Sequence, residues 1–507
     1  MTDQGATPTP PSRFPHVFYA LAVLFALPVF LSRFLPFPDY PLHVGELHVL
    51  ANATDPTIAP YYDVESAWWH PYTPHRLLLL PLTLLVGAEL AYRLFLLVYL
   101  LGVPLAALAL VRRTGRSPWL ALLIFAVLYS YPFVFGFSTY CAATAMVLVL
   151  YVVLESWLSS EEPSPRESLR LGAVFLLIFL LHPQAFLYAL ITSVALLVMH
   201  HVAHGRSVVP SLRRLLTAML PPLMLLTSYV VSHWGGKDVE TQFFPTRLRF
   251  RALPIYAGAM WEDNTVYIIV YALVAVVALS RLVPDGKGEA SSFAQAVWRG
   301  RYLVLMLLYV AGSVVLPEVY GHQHYMASRM VPMALLMLPM ALSDGPLWHG
   351  RVLPAIVATL VAGLGLTLAT DFLVFNVESR GFQAVIEFLP RASRYRCMVH
   401  SARSSILDMP VYDGFCSYVL VEKGGLAGPM HEHTGIRFQE PYRFSDEFDV
   451  HRDFDLREHG DRYEYFVVHA SAPLAAFEPG GALHERVALV LENGPWRVYQ
   501  RTRPFRD

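Results

Sequence analysis

The chain has 507 residues, of which 55% are hydrophobic and 15% are charged. Soluble globular domains carry about 25% charged residues, and repeated apolar runs of about 20 residues are typical of transmembrane helices. The composition therefore excludes an ordinary soluble domain and predicts a multi-pass membrane protein. The formal net charge of −1 gives no reason to expect a polyanionic partner, and no nucleic-acid-binding motif is present.

The N-terminal region predicts a polar, disordered cytoplasmic tail at residues 1–14, followed by a membrane anchor. No small-residue cleavage site follows the anchor, so we expect it to stay attached. The fold class predicted is an α-helical polytopic membrane protein with about 11 transmembrane helices. The predicted spans are 16–36, 90–111, 118–136, 138–157, 169–182, 185–202, 213–233, 264–282, 302–317, 330–344 and 352–374.

The apolar stretch at residues 76–90 decides the predicted topology. It is short and contains Pro81, and we interpret it as a helix lying in the membrane interface. The basic cluster at 112–116 then lies on the cytoplasmic side, as the positive-inside rule favours. The segments predicted to lie outside are loop 37–89, the break at 182–184, loops 234–263 and 317–329, and the C-terminal region.

Residues 376–507 predict a small extracytoplasmic α/β domain after the transmembrane domain at 15–375. "SYVLVEKGG", "RYEYFVVHA" and "RVALVLENGPWRVYQR" predict strands, and the last contains an Asn-Gly turn typical of a hairpin. "FQAVIEFLP" predicts a short helix. Cys397 and Cys416 could form a disulfide if this region is extracytoplasmic, but the sequence does not establish the pairing.

Asp39, at the outer end of the first span, is the main candidate for chemistry. Its carboxylate could deprotonate a hydroxyl as a general base, or it could hold a divalent metal. It could equally cap a helix that begins near Pro41, because Asp is a favoured capping residue before a proline at the first helical position. These alternatives stay open at the level of sequence.

Glu46 lies in the same stretch, on a helix predicted over residues 41–53. His43 and Glu46 are neighbours at spacing i,i+3, and Val44, Leu47 and Leu50 would form an apolar stripe. The pattern predicts an amphipathic helix on the membrane surface, with Glu46 on its polar face. The histidine spacing matches no standard zinc signature.

Basic residues on the outer side are candidates for binding phosphate. "FPTRLRFRAL" carries Arg247, Arg249 and Arg251, and Arg329 stands just before a predicted span. Arginine binds phosphate bidentately, but attraction to anionic headgroups, about 1 kcal/mol per basic residue, is the alternative. The other residues predicted to line the same outer cavity are His43, Trp69, His70, His75, His182, His322 and His324.

The order of these features resembles a known family. A first span precedes "PDYP…GEL", an aromatic and histidine-rich stretch follows, and then come "VGAELAYRLF" and "RRTGRSPWLALL". Further matching stretches are "YPFVFGFSTY", "LLHPQAFLY" and "RMVPMALLML". This arrangement resembles the polytopic glycosyltransferases of the GT-C fold, which use polyprenyl-phosphate-linked sugar donors, and it is most similar to bacterial proteins of that type.

The resemblance covers most of the chain and implies roles for particular residues. Asp39 matches the acidic residue after the first span, which acts as base or metal ligand, and Glu46 is the second candidate carboxylate. Arg247, Arg249, Arg251 and Arg329 would hold the donor phosphate. Better-known members often carry two adjacent acidic residues, whereas this chain has Asp39 followed by Tyr40.

The function predicted is transfer of a sugar from a polyprenyl-phosphate donor to a glycan or lipid acceptor at the outer face of a bacterial inner membrane. No cofactor is required by the pattern, and a divalent metal stays an open alternative. Two other functions stay open: a transporter or flippase of an envelope lipid or polymer, and a non-catalytic scaffold of the same fold. The first would often show inverted repeats, and none is found.

Overall fold

The computed structural model describes residues 13–65, 73–160, 163–234, 241–258, 260–280, 292–320, 323–342, 344–428, 435–439, 442 and 455–505. Helices dominate these ranges. The first eleven are α1 (Phe14–Ala26), α2 (Pro28–Leu31), α3 (Tyr40–Ala51), α4 (Thr73–Val86), α5 (Ala88–Arg113), α6 (Tyr131–Phe135), α7 (Ser138–Ser159), α8 (Pro165–Leu181), α9 (Pro183–Ala203), α10 (Val209–Ala218) and α11 (Leu220–Trp234).

The later helices alternate with short strands. They are α12 (Thr246–Ala257), α13 (Asn264–Ser280), α14 (Phe293–Arg299), α15 (Arg301–Val315), α16 (Met330–Leu336), α17 (Leu338–Ala341), α18 (Val352–Glu378), α19 (Arg380–Phe388), α20 (Cys416–Lys423) and α21 (Leu456–His459). Short 3₁₀ helices cover Pro118–Val127, Pro346–Trp348, Gly460–Arg462 and His484–Arg486.

Four helices in the described part of the chain are long and apolar enough to cross a membrane: α5, α7, α9 and α18. A fifth crossing results if α14 and α15, which meet at an angle of 76°, count as one broken span. These helices support the predicted polytopic membrane fold. The count of about 11 spans stays a prediction.

Several predicted spans are broken into shorter pieces. The span predicted at 16–36 consists of α1 and α2, and Pro28 begins the second helix. The span predicted at 118–136 is a 3₁₀ helix followed by α6, and that at 330–344 is divided into α16 and α17. Proline accounts for these breaks, because it lacks an N–H donor and is tolerated in the first turn of a new helix.

The helices pack around α5 and α7, which lie side by side. The Tyr151 hydroxyl on α7 donates to Thr192 on α9 at 2.7 Å and lies 2.8 Å from the Tyr309 hydroxyl on α15. All three side chains are buried or nearly so, and the contacts satisfy polar groups that would otherwise be costly in an apolar interior. This hydrogen-bonded group therefore holds three helices together.

The strands are β1 (Tyr62–Asp63), β2 (Thr241–Gln242), β3 (Val319–Tyr320), β4 (Gln323–His324), β5 (Arg394–Val399), β6 (Leu426–Gly428), β7 (Arg437–Phe438), β8 (Tyr465–His469), β9 (Val487–Asn493) and β10 (Trp496–Arg501). A mixed sheet has the order β6-β5-β8-β10-β9. Strands β6, β5 and β8 are parallel, while β10 is antiparallel to both of its neighbours. Strand β1 of the outer loop pairs with β7.

The sequence predictions for this region are partly confirmed. β8 and the β9–β10 hairpin form where predicted, with Gly494 of the Asn-Gly turn at φ +60°, and α19 covers most of "FQAVIEFLP". The strand predicted at "SYVLVEKGG" is wrong, because this segment forms α20. Short apolar runs do not distinguish strand from helix by pattern, and here packing against α3 decides.

The contact between α3 and α20 also corrects the predicted amphipathic surface helix. Nine of the residues of α3, including Glu46, are buried. A Cβ atom placed on Gly45 would lie 3.0 Å from the Ser417 Cβ, so the two helices touch closely. The Cys397–Cys416 disulfide joins β5 to the first residue of α20. Helix α3 is therefore an internal helix covered by the C-terminal region.

Candidate functional site

Asp39 is positioned by backbone contacts on both sides. Its N–H donates to the Phe135 carbonyl at 3.0 Å, and its own carbonyl accepts from the His43 N–H at 3.1 Å. The side chain is half-buried and makes no capping hydrogen bond to α3. The interpretation of Asp39 as a helix cap is therefore wrong, because its carboxylate makes no capping hydrogen bond to the first turn of α3.

Gly136, in the turn between α6 and α7, packs directly against Asp39. Its φ of +106° is a backbone conformation that favours glycine. A Cβ atom here would lie 2.8 Å from the Tyr40 nitrogen and 3.0 Å from the Asp39 Cβ. The turn therefore fixes the place of Asp39 by close backbone approach.

We expect Gly136→Ala to destabilise the protein by about 1–3 kcal/mol more than Gly115→Ala, because overpacking adds to backbone strain. Gly115 is a matched control, since it also has positive φ (+67°), but a Cβ placed on it would have no atom within 4 Å. Thermal unfolding of the two purified variants gives the comparison. Equal melting temperatures would show that the turn accommodates a Cβ atom without loss of stability and does not fix the position of Asp39.

Arg329, just before α16, is a buried cation with neutral polar partners. Its guanidinium donates to His182 Nε2 at 3.1 Å and to Gln184 Oε1 at 2.9 Å. It also lies over the rings of Phe137 and Tyr140, at 4.1 and 5.3 Å from their centroids. Among the described residues its Nε has no hydrogen-bond partner. Buried charges are usually paired, and buried Glu318 interacts electrostatically with both Arg329 and Arg249, so a second anion would balance the two cations.

Tyr325 interacts electrostatically with both Asp39 and Arg329. Its ring packs at 5.1 Å from Phe135 and at 5.7 Å from both Phe137 and Tyr131. Its φ is +60°, an uncommon conformation for a bulky residue. Such strain concentrates at functional sites. This group of four aromatic residues contacts both candidates, since the Phe135 carbonyl accepts from the Asp39 N–H and Phe137 lies under the Arg329 guanidinium, and sequence reasoning did not assign these rings to the site.

Asp413, in the loop before α20, is a second carboxylate that sequence reasoning also missed. It is half-buried, and burial together with the negative charge of Asp39 raises the pKa of its carboxyl to about 6. A Cβ on the next residue, Gly414, would lie 2.7 Å from the Pro38 carbonyl. The C-terminal region therefore brings an acidic residue to Asp39 from far along the chain, which no local motif could reveal.

Glu46 does not face the same space. Its carboxylate is fully buried and accepts a hydrogen bond of 2.5 Å from Arg76 on α4, and His43 Nδ1 lies 3.4 Å away. This contradicts the predicted place of Glu46 on an exposed polar face. An ion pair of this kind fits a structural role, because a buried carboxylate needs a charged partner.

Three of the predicted cavity histidines are brought together: the rings of His43 and His75 both pack on Tyr92, and His75 interacts electrostatically with His182. The ring of His43 stacks on Tyr92 at 5.7 Å, and buried His75 stacks on Phe95 at 5.8 Å. His182 contacts Arg329, and His324 is exposed at β4. Trp69, His70 and His322 lie outside the described residues. The described part of the chain contains no group of three His, Cys, Asp or Glu side chains arranged to hold a metal.

The three arginines of the predicted basic loop lie on α12 and have different environments. Arg249 is buried and donates to the carbonyls of Val314 at 2.6 Å and of Leu316 at the end of α15. The guanidinium therefore satisfies helix-terminal carbonyls, and its role as a phosphate ligand stays a prediction. Arg247 and Arg251 are exposed beside Leu248 and Phe250.

An apolar cavity of about 230 Å³ lies where α12, α13 and α18 meet the 3₁₀ helix at 118–127. Tyr129, Trp261, Val270 and Leu368 are among its lining residues. Its surface is almost entirely apolar, so it suits hydrocarbon and offers little to a polar ligand.

The helical architecture, with an acidic residue after α2 and a sheet in the C-terminal region, defines a membrane protein of the GT-C fold, and the predicted resemblance is confirmed at the level of fold. The solved structures with this architecture include two of ArnT from Cupriavidus metallidurans. The one bound to undecaprenyl phosphate matches with a TM-score of 0.55 and 11% identity, over 98% of this chain and 100% of that chain.

The apo structure of ArnT matches with a TM-score of 0.56 and 12% identity, over 96% of this chain and 97% of that chain. The mycobacterial arabinofuranosyltransferase AftD matches with a TM-score of 0.51 and 13% identity, over 98% of this chain and 40% of its own. No family profile and no curated protein sequence matches. At these identities the likeness establishes the fold.

Proposed function

We propose that this protein is a glycosyltransferase that moves a sugar from a polyprenyl-phosphate donor to an envelope acceptor at the outer face of a bacterial inner membrane. The observation that carries the proposal is Arg329, a buried guanidinium that donates to His182 and Gln184 and whose charge, like that of Asp39, is sensed by Tyr325. Buried Glu318 interacts electrostatically with both Arg329 and Arg249, so one carboxylate faces two buried cations, and a lipid-linked phosphate supplies a second negative charge. The shared fold with ArnT bound to undecaprenyl phosphate supports the same ligand class.

The chemistry assigned to the site is a single displacement. Asp39 accepts the proton of the acceptor hydroxyl as its oxygen forms a bond to the anomeric carbon. The bond between that carbon and the phosphate oxygen breaks, and polyprenyl phosphate leaves with the electron pair. Arg329 offsets the charge that develops on the departing phosphate. In-line attack from the opposite side inverts the anomeric centre.

Other parts of the molecule support a polyprenyl-linked donor and an extracytoplasmic C-terminal region. The apolar cavity at α12, α13 and α18 suits part of a polyprenyl chain, and exposed Arg247 and Arg251 on α12 suit the headgroup region. The Cys397–Cys416 disulfide is typical of an oxidising compartment, which supports an extracytoplasmic C-terminal region. Glu46 and Arg249 have structural roles in this proposal.

The function is tested in a deletion strain complemented with the wild-type chain. We expect mass spectrometry of envelope glycans and glycolipids to show a sugar linkage that disappears on deletion and returns on complementation. Its lipid-linked precursor should accumulate in the deletion strain. If deletion alters only the distribution of the precursor across the membrane and no linkage is lost, the transporter alternative replaces the proposal.

Arg329→Gln is expected to weaken binding of undecaprenyl phosphate about 10- to 100-fold, since a hydrogen bond to a charged group contributes about 1.5–3 kcal/mol. Arg329→Lys should recover only part of this loss, because lysine keeps the charge but not the planar fork. Calorimetric titration of purified protein with the lipid in detergent measures both. Arg403→Gln, at an exposed arginine paired with Asp408, is the control. Equal affinity in Arg329→Gln and the control would exclude Arg329 as the phosphate ligand.

A further inference from the structure

We propose that Asp413 is a positioning residue that acts through Asp39, so that a carboxylate from the C-terminal region and one from the membrane domain work as a pair. This inference rests on the proposed function, in which Asp39 takes the acceptor proton. It assigns the C-terminal region a part in the chemistry beyond shaping the cavity. The paired carboxylate is supplied by the fold, since the residue after Asp39 is Tyr40.

The loop that carries Asp413 is held firmly at both ends. The Tyr412 hydroxyl donates to Glu378 at 2.6 Å, and its ring packs 4.2 Å from that of His469. Three residues after Asp413, Cys416 is bonded to Cys397 of β5. These contacts fix the loop to α18 and to the sheet, so the position of Asp413 is set by tertiary structure.

The same loop approaches the backbone around Asp39 without room for a side chain. The space beside Gly414 is filled by the Pro38 carbonyl and by the Leu42 and Pro41 side chains, at 2.7, 3.3 and 3.4 Å from a Cβ placed on the glycine. Asp413 and Asp39 thus flank a direct contact between the two parts of the chain. Both side chains stay partly exposed, which leaves them accessible to an acceptor.

The two carboxylates interact through their charges. Burial and the charge of Asp39 raise the pKa of Asp413 to about 6. Coupling between two sites is reciprocal, so an ionised Asp413 increases the attraction of Asp39 for a proton. Among the described residues, the phenols of Tyr325 and Tyr92 also sense the charge of Asp39.

The consequence is a stronger base above about pH 6. When Asp413 is ionised, Asp39 is better able to take the hydroxyl proton, because a base is more effective as its proton affinity approaches the working pH. When Asp413 becomes protonated at lower pH, this assistance is lost. The rate of transfer should therefore fall as the pH drops through about 6.

The test uses the purified full-length chain in two measurements. The first is the infrared carboxylic-acid C=O band, recorded between about pH 4 and 8 as a difference between wild type and variant. We expect a band that titrates near pH 6 in the wild type, disappears in Asp413→Asn, and titrates at lower pH in Asp39→Asn. Asp408→Asn, at an exposed aspartate of the same loop, should leave it unchanged.

The second measurement is the pH profile of sugar transfer from the lipid-linked precursor that accumulates in the deletion strain. Asp413→Asn should lower the rate about 10-fold and remove the fall in rate below about pH 6. Asp413→Glu should restore part of the rate and part of this pH dependence. The coupling would be refuted if the carboxylic-acid band still titrates near pH 6 in Asp413→Asn, or if its titration midpoint is unchanged in Asp39→Asn. If the transfer rate of Asp413→Asn still falls below about pH 6 as in the wild type, the positioning role is refuted. Absence of transfer by the wild type would refute the proposed function, while the infrared result would still decide the coupling.

Discussion

Asp39→Asn is expected to lower sugar transfer about 10²- to 10⁴-fold at normal protein level, because general-base catalysis contributes rates of that order. Asparagine keeps the shape of the side chain but cannot accept the hydroxyl proton. The backbone contacts to Phe135 and His43 do not depend on the carboxylate, so the fold should survive. Glycan mass spectrometry in the complemented deletion strain and turnover by purified protein measure the loss.

Asp55→Asn is the matched control for this prediction. Asp55 belongs to the same outer loop, and its carboxylate is engaged locally with the N–H and hydroxyl of Thr57 at 2.7 and 2.6 Å. It should therefore leave transfer nearly unchanged. Complete restoration of the missing glycan by Asp39→Asn would show that Asp39 is not the base.

Arg76→Met is expected to destabilise the protein by about 3–5 kcal/mol, since removing one partner of a buried ion pair leaves the other charge uncompensated. The carboxylate left behind is Glu46, which is fully buried on α3. The double variant Arg76→Met/Glu46→Gln should recover much of the loss, because no buried charge remains. Thermal unfolding of the purified proteins provides the comparison.

Arg403→Met is the control for this second prediction. Its ion pair with Asp408 is exposed, and exposed pairs contribute about 0–1 kcal/mol. A melting temperature for Arg76→Met similar to that of Arg403→Met would mean that Glu46 finds another partner or a proton at no cost. In that case the pair would not be what orients α3 beneath α20.

The predictions from sequence were confirmed where the structure of a helix or hairpin depends mainly on its own residues. The β9–β10 hairpin carries its turn signal at Asn493-Gly494, and α19 has helical periodicity within nine residues. Long apolar helices such as α5 and α18 need only their own composition to be recognised. Asp39 was chosen as the candidate base from sequence, because its position directly after the first apolar run is a local property, and this role stays a prediction.

The failures occurred where distant parts of the chain meet. Helix α20 was predicted as a strand, and α3 as a surface helix, because neither pattern shows that the two pack together. The sequence likewise does not show that Arg249 is buried against the carbonyls at the end of α15. In each case an interaction with a remote segment overrides the local preference.

By itself the sequence determined that this is a multi-pass membrane protein, with a mixed α/β region at its end and an acidic residue after its first apolar run. These features follow from hydropathy and from short-range turn and helix signals, which act within one element. Only the tertiary structure decided that Arg329 is a buried cation hydrogen-bonded to His182 and Gln184, that Glu46 is held by Arg76, and that the loop carrying Asp413 contacts the backbone beside Asp39. Burial and charge pairing depend on residues far apart in the chain, so no local pattern contains them.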